Sequence, residues 1–416
     1  MKALLANQES RVKFSLARAL VTTLAATVTV GWCVGVNAQG MKMSSDSPQP
    51  VANPTPAANP VAEAPKISGK AFIRHYTRTL DEDKAGTRAA VNNESALDRV
   101  YLVFDWKPWA NGKVKAVLEG GDLRDPGGKY FDVATKAFFL EVGNLPLGAS
   151  LQVGQLDLPW VGYVDGMWGY RVQGTNFVDR SGYMTSTDIG LGLKGSLAEL
   201  GEWQFNLVNG EGWKAPEAGF HKDFHGRLTL RPLAPMGMKE FFVSGAGALG
   251  TYDPGVVSTP SAQFDKNRYI AQVGYHSKGN LLVAFDYLLS ASDPASKMAG
   301  KYPSLNDASL KDKLANGSGF SAYTVLNLGL FGTLEALKPL DLIGRYDSID
   351  PDTSLANNGM NRLIAGLGIN WNKWVTTLLA YEAVNYELEF AAKGNTDPAK
   401  GKPAEQKVML TSEVRY

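Results

Sequence analysis

The four histidines are the first residues to weigh for chemistry. His221, Asp223 and His225 alternate as His-x-Asp-x-His, a spacing that could turn two imidazoles and a carboxylate toward one metal. No cysteine and no acidic cluster accompanies them, so solvated histidines at a loop edge are the simpler reading. Any of the four, His75, His221, His225 or His276, could act as a general base in a hydrolase. No Ser or Asp stands at a spacing that builds a triad on adjacent strands, and no Gly-x-Ser-x-Gly elbow occurs. The glycine-bearing VGQLDLP and GLGLKG have no helix after them and are not phosphate-cradling loops. The sequence therefore predicts no enzyme, no metal site and no cofactor.

A different chemistry is available between residues 158 and 186, in LPWVGYVDGMWGYRVQGTNFVDRSGYMTS. Asp165, Arg171, Asp179 and Arg180 supply charges of both signs, and Tyr163, Trp168, Tyr170, Phe177 and Tyr183 supply aromatic bulk. A floating surface segment would carry fewer large aromatics, so this one is expected to pack. Packed against the inside wall of a pore, its charges would stand where fixed charge governs ion passage. The alternative is a loop folded outward on itself or on lipopolysaccharide.

The elements around it favour a pore. Segments of about ten residues alternate in polarity, the length and period of a membrane-spanning strand. In LDRVYLVFDW (97 to 106), Val100, Leu102, Phe104 and Trp106 oppose Arg99, Tyr101 and Asp105. In NLLVAFDYLL (280 to 289), Leu281, Val283, Phe285, Tyr287 and Leu289 oppose Asn280 and Asp286. Sixteen such strands can be traced between residues 67 and 416. Every second connection is short (SKGN, NWNK), while most of the others are long and rich in Gly, Pro, Asp and Asn (TYDPGVVSTPSAQFDK). That segregation of loop lengths predicts an all-β, transmembrane, antiparallel up-and-down barrel with an inward-folded constriction loop. Mean hydropathy of −0.16 is compatible, because only one face of each strand need be apolar.

The N-terminus is consistent with export. Lys2, Arg11, Lys13 and Arg18 precede an apolar run over 19 to 35, and Val36-Asn37-Ala38 follows. Residues 1–38 read as a signal peptide, with a membrane-anchoring helix as the alternative. The only cysteine, Cys33, lies within it, which excludes disulfides from the mature chain. Residues 39–66 read as a Pro/Ala-rich periplasmic linker, and 67–416 as the barrel. A formal charge of +1 argues against nucleic acid as a partner.

VGQLDLPW (153 to 160), FVDR (177 to 180), TDIGLGLKG (187 to 195), NGEG (209 to 212) and GRYDSIDPDT (344 to 353) together resemble the phosphate-selective porin O and P family. The resemblance implies a sixteen-stranded outer-membrane barrel of Gram-negative bacteria, commonly a homotrimer, for passive uptake of small anions. Thr187 stands where that family often has Arg, and the loop pairs only Arg171 and Arg180 with two acids, so the phosphate preference carries over less well than the fold. The resemblance also gives the closing KVMLTSEVRY (407 to 416) a role, its aromatic Tyr416 being the signal read by the barrel assembly machinery.

Alternation assigns lumen-facing wall charges, among them Arg99, Lys115, Asp188, Arg227, Arg231, Arg268 and Arg345. They are expected to be solvated, with basic residues slightly in excess. The resulting expectation is a water-filled diffusion channel for small hydrophilic solutes with weak anion preference. A structural or adhesive barrel tethered by the periplasmic linker is the alternative.

Overall fold

The computed structural model describes residues 63–81, 93–121, 132–217, 220–252, 265–291, 293–294, 314–332, 334–356, 358–387 and 404–416. The expected signal peptide and most of the linker lie outside these residues, as do parts of the long connections.

Sixteen strands close into one barrel. They are β1 (Lys66–Asp81), β2 (Asn93–Trp106), β3 (Gly112–Gly121), β4 (Asp132–Leu145), β5 (Ala149–Asp157), β6 (Thr187–Ser196), β7 (Gly201–Val208) and β8 (Asp223–Leu230). The circuit continues through β9 (Phe241–Leu249), β10 (Asn267–Ser277), β11 (Leu281–Ala291), β12 (Ser318–Asn327), β13 (Leu340–Asp350), β14 (Met360–Asn370), β15 (Val375–Tyr386) and β16 (Ala404–Arg415). Each pairs antiparallel with its neighbours in sequence, and β1 pairs with β16. All sixteen expected strands are present. Strand β12 ends at Asn327, whose side chain caps a 3-10 turn at Leu328–Phe331 by accepting from Gly329 N–H.

Alternation sorts the side chains as a membrane barrel requires. Ile73, Leu97, Phe138, Leu191, Val283, Leu363 and Leu410 are exposed outside, where hydrocarbon would cover them. Trp106, Trp109, Trp371, Trp374 and Tyr416 are exposed near the short-turn end, an aromatic girdle at one interface. The register slips at Phe72/Ile73 between β1 and β2 and at Val117/Leu118 between β3 and β4. These bulges twist the wall locally and re-aim side chains.

The seam is sealed by the final residue. Tyr416 and Gly69 exchange backbone hydrogen bonds of 2.9 and 3.0 Å, and the Tyr416 hydroxyl donates to the Tyr101 carbonyl at 2.9 Å. The ring lies over Gly69, where an added Cβ would come within 2.5 Å of it and 2.2 Å of the Tyr101 oxygen. Only glycine allows that approach. Tyr416→Ala should destabilise the barrel by about 1–2 kcal/mol through lost ring packing and one hydrogen bond. The expected result is a lower temperature at which the compact form unfolds on detergent gels, with the wild-type temperature counting against this seal.

Candidate functional site

The connection between β5 and β6 enters the barrel. Its two ends are joined at the neck, where Leu158 N–H donates to the Ser186 carbonyl at 2.8 Å. Two short helices, α1 (Val161–Trp168) and α2 (Phe177–Arg180), form within it. Gly169 ends α1 at φ 70°, a left-handed position suited to glycine. Asn176 caps α2 and also reaches back, its Nδ2 donating to Asp165 Oδ1 at 2.9 Å and to the Val161 carbonyl at 3.1 Å. One side chain thus holds both helices together.

The loop is fastened to a succession of wall strands. Arg227 on β8 donates Nε to the Pro159 carbonyl at 2.8 Å, and its guanidinium lies 3.9 Å from the centre of the Tyr163 ring. The Tyr163 hydroxyl meets Ser244 Oγ on β9 at 3.1 Å. Arg268 on β10 donates Nε to the Tyr183 carbonyl at 3.1 Å. The Trp168 ring packs edge-on against Tyr323 on β12, 5.9 Å between centroids. Arg345 on β13 donates to the Thr175 carbonyl at 2.8 Å while Asp347 grips its fork at 2.8 and 2.6 Å. Tyr170 donates to Asp341 at 2.6 Å; burial and this bond raise its hydroxyl pKa above the usual range. At the far end, Gln173 donates to Glu382 on β15 at 2.7 Å and Arg180 pairs with the same carboxylate at 2.5 Å. A loop that starts at β5 and reaches β15 must cross the lumen, which excludes the outward alternative.

Trp168 and Tyr170 are buried between loop and wall and anchor the loop, as their aromatic bulk predicts, and Tyr163 does the same half-buried. The packing corrects the expectation for several wall charges. Arg227, Arg268 and Arg345 are not solvated wall charges; the loop covers them and uses their N–H groups to satisfy its own carbonyls. Asp188 is likewise buried, its Oδ2 accepting from the backbone N–H of Gly210 and Gly212 at 2.8 and 3.2 Å. It therefore shapes the next long connection. Arg231 lies one residue beyond β8, its N–H bonded to the Leu200 carbonyl in the turn region. Lys115 pairs with Asp157 at 2.9 Å. Asp223, the middle residue of the considered metal pattern, pairs with Lys266 at 2.9 Å.

Among the described residues, a cavity of about 440 Å³ is lined by Arg99, Lys136, Arg171, Asp179, Arg180, Glu211, Trp213 and Lys214, with Thr175, Thr185 and Ser186 adding hydroxyls. Arg99 and Lys136 both bind the wholly buried Glu119, at 2.6 and 2.5 Å. Arg171 leans on Asp165 at 3.0 Å. Burial and the neighbouring Arg362 lower the Arg180 guanidinium to about 10, with Glu382 opposing them; it stays charged at neutral pH. Burial, with Glu217 and Asp188 nearby, raises the Glu211 carboxyl above its ordinary value. The cations face the cavity and most of their carboxylate partners sit behind them.

Of the expected constriction residues, Arg171, Asp179 and Arg180 line this space. Arg99 joins them from the wall, and Asp165 supports from behind. Glu211, Trp213, Lys214 and Glu382 were not singled out from sequence. Glu382 did carry a signal, a lone acid on the inward row of β15 between Ala380 and Val384. Glu382→Gln would leave Arg180, Arg362 and Lys407 around a neutral amide. Removing one partner of buried charges costs about 3–5 kcal/mol. The far end of the loop should detach, and conductance in planar bilayers should become larger and noisier. Wild-type traces would show that the latch lies elsewhere.

No protein-family model matches this chain, and no curated protein matches its sequence. Solved structures do match its fold. An anion-selective porin from Comamonas acidovorans superposes with a TM-score of 0.57 at 10% identity, over 85% of this chain and 99% of that one. OmpF of Salmonella typhi, solved in complex with daunomycin, gives 0.56 at 11% identity over 85% and 97%. The outer-membrane channel DcaP of Acinetobacter baumannii gives 0.53 at 11% identity over 85% and 97%. The fold is that of the outer-membrane porins.

Proposed function

We propose that this chain is an outer-membrane porin, a water-filled channel for passive diffusion of small hydrophilic solutes with a weak preference for anions. The observation that carries this reading is the cavity between the inward loop, the wall and the β7–β8 connection, inside a closed barrel with an apolar exterior. Five of its lining side chains are cationic and two are carboxylates. In a narrow aqueous path between low-dielectric walls, such an excess favours anions at the point of closest approach.

The preference is weak because Glu119, Asp165 and Glu382 stand directly behind four of those cations. An ion in the cavity meets oriented pairs more than net charge. The resemblance to phosphate-selective porins makes phosphate-type anions reasonable passengers. Fold neighbours include an anion-selective porin and a Vibrio cholerae outer-membrane protein solved in a trimer form, which support anion preference and a homotrimer for this chain as well. Outer-membrane lipid would cover the exterior, with lipopolysaccharide against the long-loop end.

The reversal potential of the purified protein across a potassium chloride gradient tests this reading. It should take the sign of modest anion selectivity, and a clearly cation-selective value would sink the idea. Lowering the pH through the raised Glu211 pKa neutralises one of the two lining carboxylates. Anion preference should therefore grow as pH falls, and Glu211→Gln should show the larger preference already at neutral pH with a flatter pH profile.

A further inference from the structure

The lining charges are not scattered evenly. Arg99 and Lys136 converge on the two oxygens of Glu119, and Arg171 is near enough to act on the same carboxylate. Three cations thus gather against the β2–β4 side of the cavity. On the β7–β8 connection, Glu211 has an oxygen shielded from water with no hydrogen-bond partner among the described residues. A shielded carboxylate oxygen without a donor is costly and rare. Charges of both signs surround it: Glu217 and Asp188 act against its ionised form, while Lys266, whose Nζ is spent on the Gly210 carbonyl at 2.9 Å and on Asp223, favours it. Trp213, two residues along, joins the two regions: its ring lies 5.2 Å from Lys136 Nζ and 5.1 Å from Lys214 Nζ.

Size bears on the ligand too, although the space is open to solvent on one side. A cavity of about 440 Å³ is in the range of small-molecule sites, roughly 300–1,000 Å³. One water takes about 30 Å³ of liquid. A bare inorganic anion would leave most of the space to solvent and would leave Glu211 without a donor.

Resting on the channel reading above, we infer that the cavity selects dipolar organic solutes, small amino acids with a carboxylate at one end and an ammonium at the other. The carboxylate lies among Arg99, Lys136 and Arg171, the ammonium donates to Glu211, and the Trp213 ring borders the connecting chain. A solute with two carboxylates satisfies the cationic end but places its second charge against Glu211. A diamine makes the opposite error.

Three four-carbon solutes separate these cases in proteoliposome swelling: 4-aminobutyrate, succinate and butane-1,4-diamine, each referred to the neutral erythritol. The inference expects 4-aminobutyrate to enter fastest relative to erythritol. Glu211→Gln should slow it about fivefold, the scale of one charge-assisted hydrogen bond partly exposed to water, without slowing succinate. Arg99→Gln should slow both carboxylate-bearing solutes. Succinate entering faster than 4-aminobutyrate, or an unchanged 4-aminobutyrate rate in Glu211→Gln, overturns the assignment while leaving the channel intact. Exclusion of erythritol as well would overturn the channel reading and this inference with it.

Discussion

A polypeptide crossing hydrocarbon must pair every backbone N–H and C=O within itself, and a sheet can do so only by closing. That requirement explains why β1 and β16 meet in a ladder running from Lys70↔Arg415 to Asp81↔Glu405. It also explains the side chains, since a closed sheet needs only its outer row to be apolar. The inner row is left for polar groups, and the chain remains hydrophilic on average. The Tyr416–Gly69 contact sits where the ladder would otherwise begin to fray.

Closure creates a second problem, a wide polar lumen that in the proposed channel would discriminate poorly among solutes. The loop between β5 and β6 answers it, but a loop placed inside a barrel brings its carbonyls and charges out of bulk water. Each must find a partner from the wall. Arg227, Arg268 and Arg345 serve the loop's carbonyls, and Glu382 gathers its last arginine. Arg345 is nearly fully buried and would be costly there without Asp347 at 2.6 Å. The wall charges are thus first a means of docking the loop. Only those left uncovered, such as Arg99 and Lys136, face the cavity.

The fold was legible because its signals are local. Alternation within a strand such as NLLVAFDYLL and the contrast between SKGN and TYDPGVVSTPSAQFDK each require only neighbouring residues. The inward loop was legible for a related reason, its aromatics being too many for a solvated segment. The fate of individual wall charges was not, because parity places Arg227 and Arg99 on the same face and cannot say which the loop will cover. That depends on partners such as Pro159, 68 positions away in sequence. Trp213 and Lys214 escaped notice for the same reason. They belong to a connection whose approach to the cavity is set by Asp188 holding the amides of Gly210 and Gly212.

Docking and selection are therefore coupled through the same carboxylates. Glu382 fastens the loop by binding Arg180, and in doing so tempers the charge Arg180 presents to the cavity. Glu119 plays the matching part on the wall, aligning Arg99 and Lys136 while cancelling part of their field. A bare cluster of cations would attract anions more strongly but would repel itself and leave the loop unlatched. Pairing four of the five lining cations from behind keeps their outward N–H groups available as donors while limiting the depth of the well. Passage requires that balance, since a solute bound too firmly cannot leave. The weak selectivity proposed for this channel follows from how its constriction is held in place.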